Sequence, residues 1–140
     1  PIYDDLTEHN YSASLEGQGP GAASYEVEAC ALDDYLAALG NPAVSVVKID
    51  VERHEPAVLQ GMNRTLARQS PPMLIEVLDG EIGHQIGQRI DGLGYLVFHV
   101  DEHHGLIPAS ALGPIGSHNW NHLICTSEDY ERAELGRFLA

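Results

Sequence analysis

The stretch Val46-Val47-Lys48-Ile49-Asp50-Val51-Glu52-Arg53-His54-Glu55 decides the fold. It belongs to an apolar run over residues 44–49 in which β-branched side chains dominate, and such a run predicts a strand buried on both faces of a parallel sheet. The run ends abruptly in acidic residues and a histidine. Because ligands of open α/β sheets bind beyond the carboxyl ends of the strands, we expect the chemistry of this protein at that edge.

A helix and a second strand follow this stretch. Pro56 suits the first position of a helix, and apolar residues at positions 58, 59, 62 and 66 repeat at helical spacing, so a single helix is predicted over residues 56–66. Residues 73–77 predict another apolar strand, which carries Glu76 near its end. Strand, helix and strand form one βαβ unit with acidic residues at its rim, which predicts an α/β fold.

The rest of the chain divides into a polar start and an α/β core. Residues 1–24 are acidic and glycine-rich and predict a loop or arm, whereas residues 25–140 predict the core. Gly40 is expected to end a short helix, Asp79 to open the next helix and Ser127 to cap the last one. The patterns predict strands over 25–30, 95–100 and 121–126, helices over 32–39 and from Asp79 to Gly94, and an irregular connection over 106–120.

Composition excludes several classes of partner. The 140 residues carry a formal net charge of -14, which argues against nucleic acid and against an anionic membrane. No apolar run approaches the roughly 20 residues that are needed to span a bilayer. Cys30 and Cys125 lie in different predicted strands and no secretory segment is recognised, so we expect a cytoplasmic protein without a disulfide.

Three motifs in order resemble those of the FkbM-type methyltransferases, which use S-adenosylmethionine. They are Lys48-Ile49-Asp50-Val51-Glu52-x-His54-Glu55, Val58-Leu59-x-Gly61 and Pro72-x-Leu74-Ile75-Glu76-Val77. The resemblance implies a doubly wound, Rossmann-like methyltransferase sheet, mostly parallel with an antiparallel last strand. It covers the carboxyl-terminal half of the family's domain. We therefore expect residues 1–140 to be the carboxyl-terminal part of one methyltransferase domain, with the amino-terminal half missing.

The sequence departs from the family's pattern in two respects. The glycine-rich segment that holds the cofactor in the family is not found, so no cofactor-binding residues are assigned. Arg53 stands where the family usually has glycine. Since arginine does not easily adopt a positive φ, we expect the turn after Glu52 to be relaxed or altered.

Four residues are the candidate catalytic group: Asp50, Glu52, His54 and Glu76. His54 is the natural general base for a hydroxyl, because the unperturbed pKa of histidine is about 6.5. Two alternatives remain open. Asp50 could be a helix-capping acid, and the three carboxylates could hold a divalent metal that lowers the pKa of the hydroxyl, although no metal is assigned.

Other polar residues are weaker candidates. The resemblance places the first residues of the chain over the active site, so Asn10 and Tyr11 are expected to line a substrate pocket, with an ordinary surface loop as the alternative. His118, Trp120 and His122 could line a pocket wall, with a place in the core as the alternative for Trp120. Glu55 is expected to compensate a helix dipole. His99, Asp101, His103 and His104 could form a metal cluster, but a solvated polar turn at the adjacent histidines is favoured.

The resemblance implies methyl transfer from S-adenosylmethionine, and we expect the acceptor to be an oxygen atom of a small molecule or glycan. The protein would align the acceptor oxygen with the methyl group and receive its proton. The alternative is a non-catalytic α/β binding module derived from a methyltransferase.

Overall fold

The computed structural model describes residues 2–4, 23–115 and 120–140, with side chains from residue 26 onward in these ranges. They form two compact units, which divide between Cys30 and Ala31. In the first unit, the two ends of the predicted arm pair as antiparallel strands, β1 (Ile2–Asp4) and β2 (Ala23–Tyr25). The predicted strand over 25–30 is wrong beyond Tyr25. Residues 26–30 are irregular and exposed, so the apolar residues of their alternating pattern are not buried against the core.

The second unit contains one five-stranded sheet in the order β3-β4-β7-β5-β6. Its elements are α1 (Leu32–Ala38), β3 (Val47–Ile49), α2 (Glu55–Gln60), α3 (Asn63–Gln69), β4 (Met73–Glu76), α4 (Gly80–Ile90), β5 (Tyr95–Asp101), β6 (Gly105–Pro108), β7 (Asn121–Thr126), α5 (Ser127–Arg132) and a 3-10 helix (Leu135–Phe138). The predicted α/β class is confirmed.

The prediction of a mostly parallel sheet is wrong. Among the strands of this sheet in the described residues, only β3 and β4 pair in parallel, whereas β4–β7, β7–β5 and β5–β6 are all antiparallel. The reason is the position of β7, which lies between β4 and β5 and runs against both of them. Strands β3, β4 and β5 therefore point in the same direction, and the last strand is antiparallel as predicted.

Apolar side chains pack on both faces of the sheet, with a larger cluster on one face than on the other. The main core includes Met73, Ile75 and Ile124 from the strands, with Leu59 from α2 and Ile86 from α4. The opposite face holds a smaller cluster of Phe98, Leu106 and Cys125. Successive residues of a strand point to opposite faces, and Ile124 and Cys125 accordingly belong to different clusters.

The single helix predicted over residues 56–66 is wrong, because the chain forms two helices there. The carboxylate of Asp33, on α1, accepts hydrogen bonds from the backbone N–H of Arg64 at 2.7 Å and of Thr65 at 2.9 Å. It also accepts one from the Thr65 hydroxyl at 2.7 Å. Free N–H groups at the start of a helix need such acceptors, so a residue distant in sequence caps α3 and lets a new helix begin at Asn63.

Three further boundaries differ from the sequence prediction. Strand β3 starts only at Val47, and the Val44 N–H donates to the Gln69 side chain at 2.8 Å instead of to a neighbouring strand. Part of the predicted irregular connection is β6, which pairs with β5. The cap of α5 is Thr126 rather than Ser127, whereas Asp79 caps α4 as predicted.

None of the helices in the described ranges is long and apolar enough to cross a membrane.

Candidate active site

Three acidic side chains meet at one edge of the sheet. Asp50 follows β3 and Glu76 ends β4, and these neighbouring strands are parallel, so their carboxyl ends lie together. Glu52 lies two residues beyond Asp50. One carboxylate oxygen from each of the three residues lies within 4.8 Å of the others. This carboxylate cluster (Asp50, Glu52 and Glu76) contains three of the four residues that the sequence predicts as catalytic.

Burial and the neighbouring carboxylates perturb Glu76. The pKa of Glu76 is raised above its ordinary value, first by burial and then by the negative charge of Asp50, with a further contribution from Glu52. Lys48 partly offsets this, since its ammonium group lies 3.1 Å from the Asp50 carboxylate. Lys48 is exposed and pairs with this acid, so the prediction of a strand buried on both faces is wrong at this position. Three acids and one nearby base leave an excess of negative charge at this edge.

His54 lies near the cluster in sequence but contributes no atom to it. Its side chain is half-buried, and its Nδ1 lies 3.4 Å from the backbone oxygen of Glu52. The group of potential ligand atoms found in the described part of the chain consists of the three carboxylates alone. The role of His54 as a general base therefore stays a prediction.

The turn after β3 keeps a left-handed backbone without glycine. Glu52 has a φ of 49° and Arg53 a φ of 78°. The expectation of a relaxed or altered turn at Arg53 is therefore wrong. A guanidinium nitrogen of Arg53 lies 2.5 Å from the Asp79 carboxylate, which also caps α4, so an ion pair links this turn to the loop that follows β4.

Glu55 is a site residue whose role the sequence did not indicate. Its side chain is fully buried, with 1% of its surface exposed. Its Oε1 atom accepts hydrogen bonds from the backbone N–H of Val51 at 3.3 Å and of Arg53 at 3.2 Å. The carboxylate therefore turns back to the preceding loop and does more than compensate a helix dipole. The sequence signal at this position, an acid directly before Pro56, indicates a helix start and not these contacts.

Strand β7 brings a second polar group to the same edge. Asn121 is paired with Glu76, and the Val77 N–H donates to the Trp120 carbonyl at 2.7 Å. His122 is fully buried one position further along, with its Nδ1 atom 3.0 Å from the Trp120 carbonyl.

The His122 ring packs against a second buried imidazole. Its centroid lies 4.4 Å from that of the His99 ring. Burial and this neighbour lower the pKa of His122 to about 4, and burial also lowers the pKa of His99. The sequence predicted His99 within the strand over residues 95–100, and this is confirmed, since β5 extends through His99.

The structure describes some of the remaining candidates and not others. Asn10, Tyr11 and His118 lie outside the described residues. His103 and His104 are exposed, and the Asp101 carboxylate accepts hydrogen bonds from both of their backbone N–H groups at 2.9 Å. This is the polar turn that the sequence favoured for these two histidines, and it joins β5 to β6.

The fold and the acidic edge define an α/β protein with its candidate site beyond the carboxyl ends of parallel strands, which is compatible with a methyltransferase-like fold. Residues 3–104 match the Methyltransferase FkbM domain, which is more than half of the chain. The chain therefore belongs to the FkbM methyltransferase family. Neither a curated protein nor a solved structure matches it.

Proposed function

We propose that this chain takes part in the transfer of a methyl group from S-adenosylmethionine to an oxygen atom of a small molecule or glycan. The observation that carries the proposal is the carboxylate cluster, which lies at the carboxyl ends of two parallel strands in a member of the FkbM family. The alternative of a non-catalytic module is not favoured, because Arg53 keeps the left-handed turn despite replacing the family's glycine.

The charge of the cluster fits this cofactor. S-adenosylmethionine, when bound, supplies a methyl group on a positively charged sulfur, and a negatively charged edge favours a cationic ligand. Asp50 is the exposed member of the cluster and would contact the cofactor or the acceptor hydroxyls. Glu76 is partly buried, and its raised pKa favours it as the proton acceptor.

The protein's part in the reaction follows from these roles. The cluster would bind the acceptor hydroxyl, orient its oxygen towards the methyl group and take its proton onto a carboxylate. The new carbon–oxygen bond would form as the methyl–sulfur bond breaks, with its electron pair left on the sulfur. A divalent cation held by the same three carboxylates is the second arrangement, in which the cation lowers the pKa of the hydroxyl. If a chelator abolishes activity, the arrangement with the cation is supported; if activity is retained, a carboxylate acts without a metal.

The test is methyl transfer from labelled S-adenosylmethionine to a panel of alcohols, phenols and oligosaccharides. We expect Asp50→Asn and Glu76→Gln to lower turnover by roughly two to four orders of magnitude without unfolding the protein. Glu131→Gln is the matched control, since Glu131 is exposed on α5, which follows the opposite end of β7. If both cluster variants keep the turnover of this control, the assignment of the site is wrong.

A further inference from the structure

Glu52 joins the carboxylate cluster from a turn whose backbone conformation is unfavourable. Both Glu52 and the following Arg53 have positive φ values, 49° and 78°. A positive φ is energetically unfavourable for a residue with a Cβ atom, and such a conformation persists only where surrounding groups hold it. The structure must therefore contain the groups that stabilise this turn.

Glu55 supplies hydrogen bonds on both sides of Glu52. Its Oε1 atom accepts from the N–H of Val51, which precedes Glu52, and from the N–H of Arg53, which follows it. The Glu55 side chain is 1% exposed, so water does not compete for these bonds. Its second oxygen, Oε2, is buried and has no hydrogen-bond partner among the described residues. Only one of the two carboxylate oxygens is thus engaged, and it contacts the turn.

The ion pair of Arg53 is a weaker restraint on the same turn. The Arg53 and Asp79 side chains are 51% and 31% exposed, and an ion pair at the surface is screened by solvent. The buried Glu55 carboxylate is the stronger restraint, because it binds the backbone of the turn directly and is shielded from solvent.

We propose that Glu55 is a positioning residue whose buried carboxylate holds the Val51–Arg53 turn and so places the Glu52 carboxylate beside Asp50 and Glu76. Its importance for methyl transfer rests on the proposed function, whereas its effect on the cluster does not. The role requires a hydrogen-bond acceptor at Oε1 and not a negative charge. A helix-dipole role would require the charge and not the acceptor, so the two roles predict different results for neutral substitutions.

The experiment measures the pKa of the Glu76 carboxyl group by carbon-13 NMR titration of the protein. Glu55→Gln keeps an acceptor oxygen, and we expect the raised pKa of Glu76 to be retained. Glu55→Met removes the acceptor, so Glu52 moves away and the pKa of Glu76 falls towards its ordinary value. If Glu55→Met does not fold, Glu55→Asp replaces it, since a carboxylate one methylene shorter does not reach both N–H groups.

The same titration in a Glu52→Gln protein distinguishes a role in positioning Glu52 from a general loss of structure. In Glu52→Gln the charge that Glu55 is inferred to place is already absent, so adding Glu55→Met should lower the pKa of Glu76 no further. An unchanged pKa in Glu55→Met, equal falls in Glu55→Gln and Glu55→Met, or the same fall in both backgrounds would overturn the proposal. The titration involves no methyl transfer, so an inactive protein that shows the expected pattern would count against the proposed function alone.

Discussion

Mild acid should destabilise the protein through the buried ring of His122. The pKa of this residue is lowered from 6.5 to about 4, first by burial and then by the neighbouring His99. The unfolded chain takes up the proton near pH 6.5, whereas the folded chain resists it until about pH 4. The free energy of unfolding should therefore fall as the pH drops through this window and level off below it. A difference of about 2.5 units corresponds to about 3 kcal/mol.

Other titratable groups also change the free energy of unfolding with pH. His99 also has a lowered pKa and adds to the loss of stability in acid. Asp33 and Asp79 have pKa values below their ordinary 3.8, so their contribution is lost only at lower pH. Glu76, with its raised pKa, acts in the opposite sense. The effect of His122 is therefore best obtained by comparing variants across the same window.

The assay is urea unfolding at a series of pH values from 7.5 to roughly 4, which brackets the window of the lowered pKa. His122→Asn removes the titrating ring, and His103→Asn is the control because His103 is exposed. The native protein and the control should lose about 3 kcal/mol more than His122→Asn between the two ends of the range. Equal losses in all three proteins would refute the reasoning.

Two further predictions concern backbone positions. Gly83→Ala should destabilise the fold by roughly 1–3 kcal/mol, because the added Cβ would lie 2.1 Å from the Leu112 carbonyl oxygen. Gly87→Ala in the same helix should stabilise the fold by up to about 1 kcal/mol, because its Cβ would have nothing within 4 Å. Thermal unfolding of the two variants checks this difference. Arg53→Gly should be more stable than Arg53→Ala by about 1 kcal/mol, since both lose the ion pair and only glycine relieves the positive φ. Equal melting midpoints for these two variants would contradict the strain at this position.

The sequence predicted the elements whose patterns are local. Strands β4, β5 and β7 and helices α1 and α4 were found near their predicted positions, because alternating or helical apolar spacing reports directly on burial. The meeting of Asp50 and Glu76 was also predictable, since both residues follow apolar strands of one βαβ unit.

Features that depend on distant contacts were not predictable. The break between α2 and α3 depends on Asp33, about thirty residues earlier in the chain. Similarly, the pairing of β7 between β4 and β5 is a property of the whole sheet and not of any short pattern. The role of Glu55 required the backbone path, because only a turned-back side chain reaches the two N–H groups.

The central position of β7 has a consequence for how the chain is assembled. Met73 of β4 pairs with Ile124 of β7, and Val97 of β5 pairs with the same residue, so β7 joins two parts of the sheet that do not pair with each other. During synthesis from the amino end, the β3–β4 and β5–β6 pairs emerge first and remain separate until β7 leaves the ribosome. Such long-range pairing slows folding and leaves strand edges open in the meantime. The match to the FkbM domain ends at residue 104, so the strand that completes the sheet lies beyond the matched region.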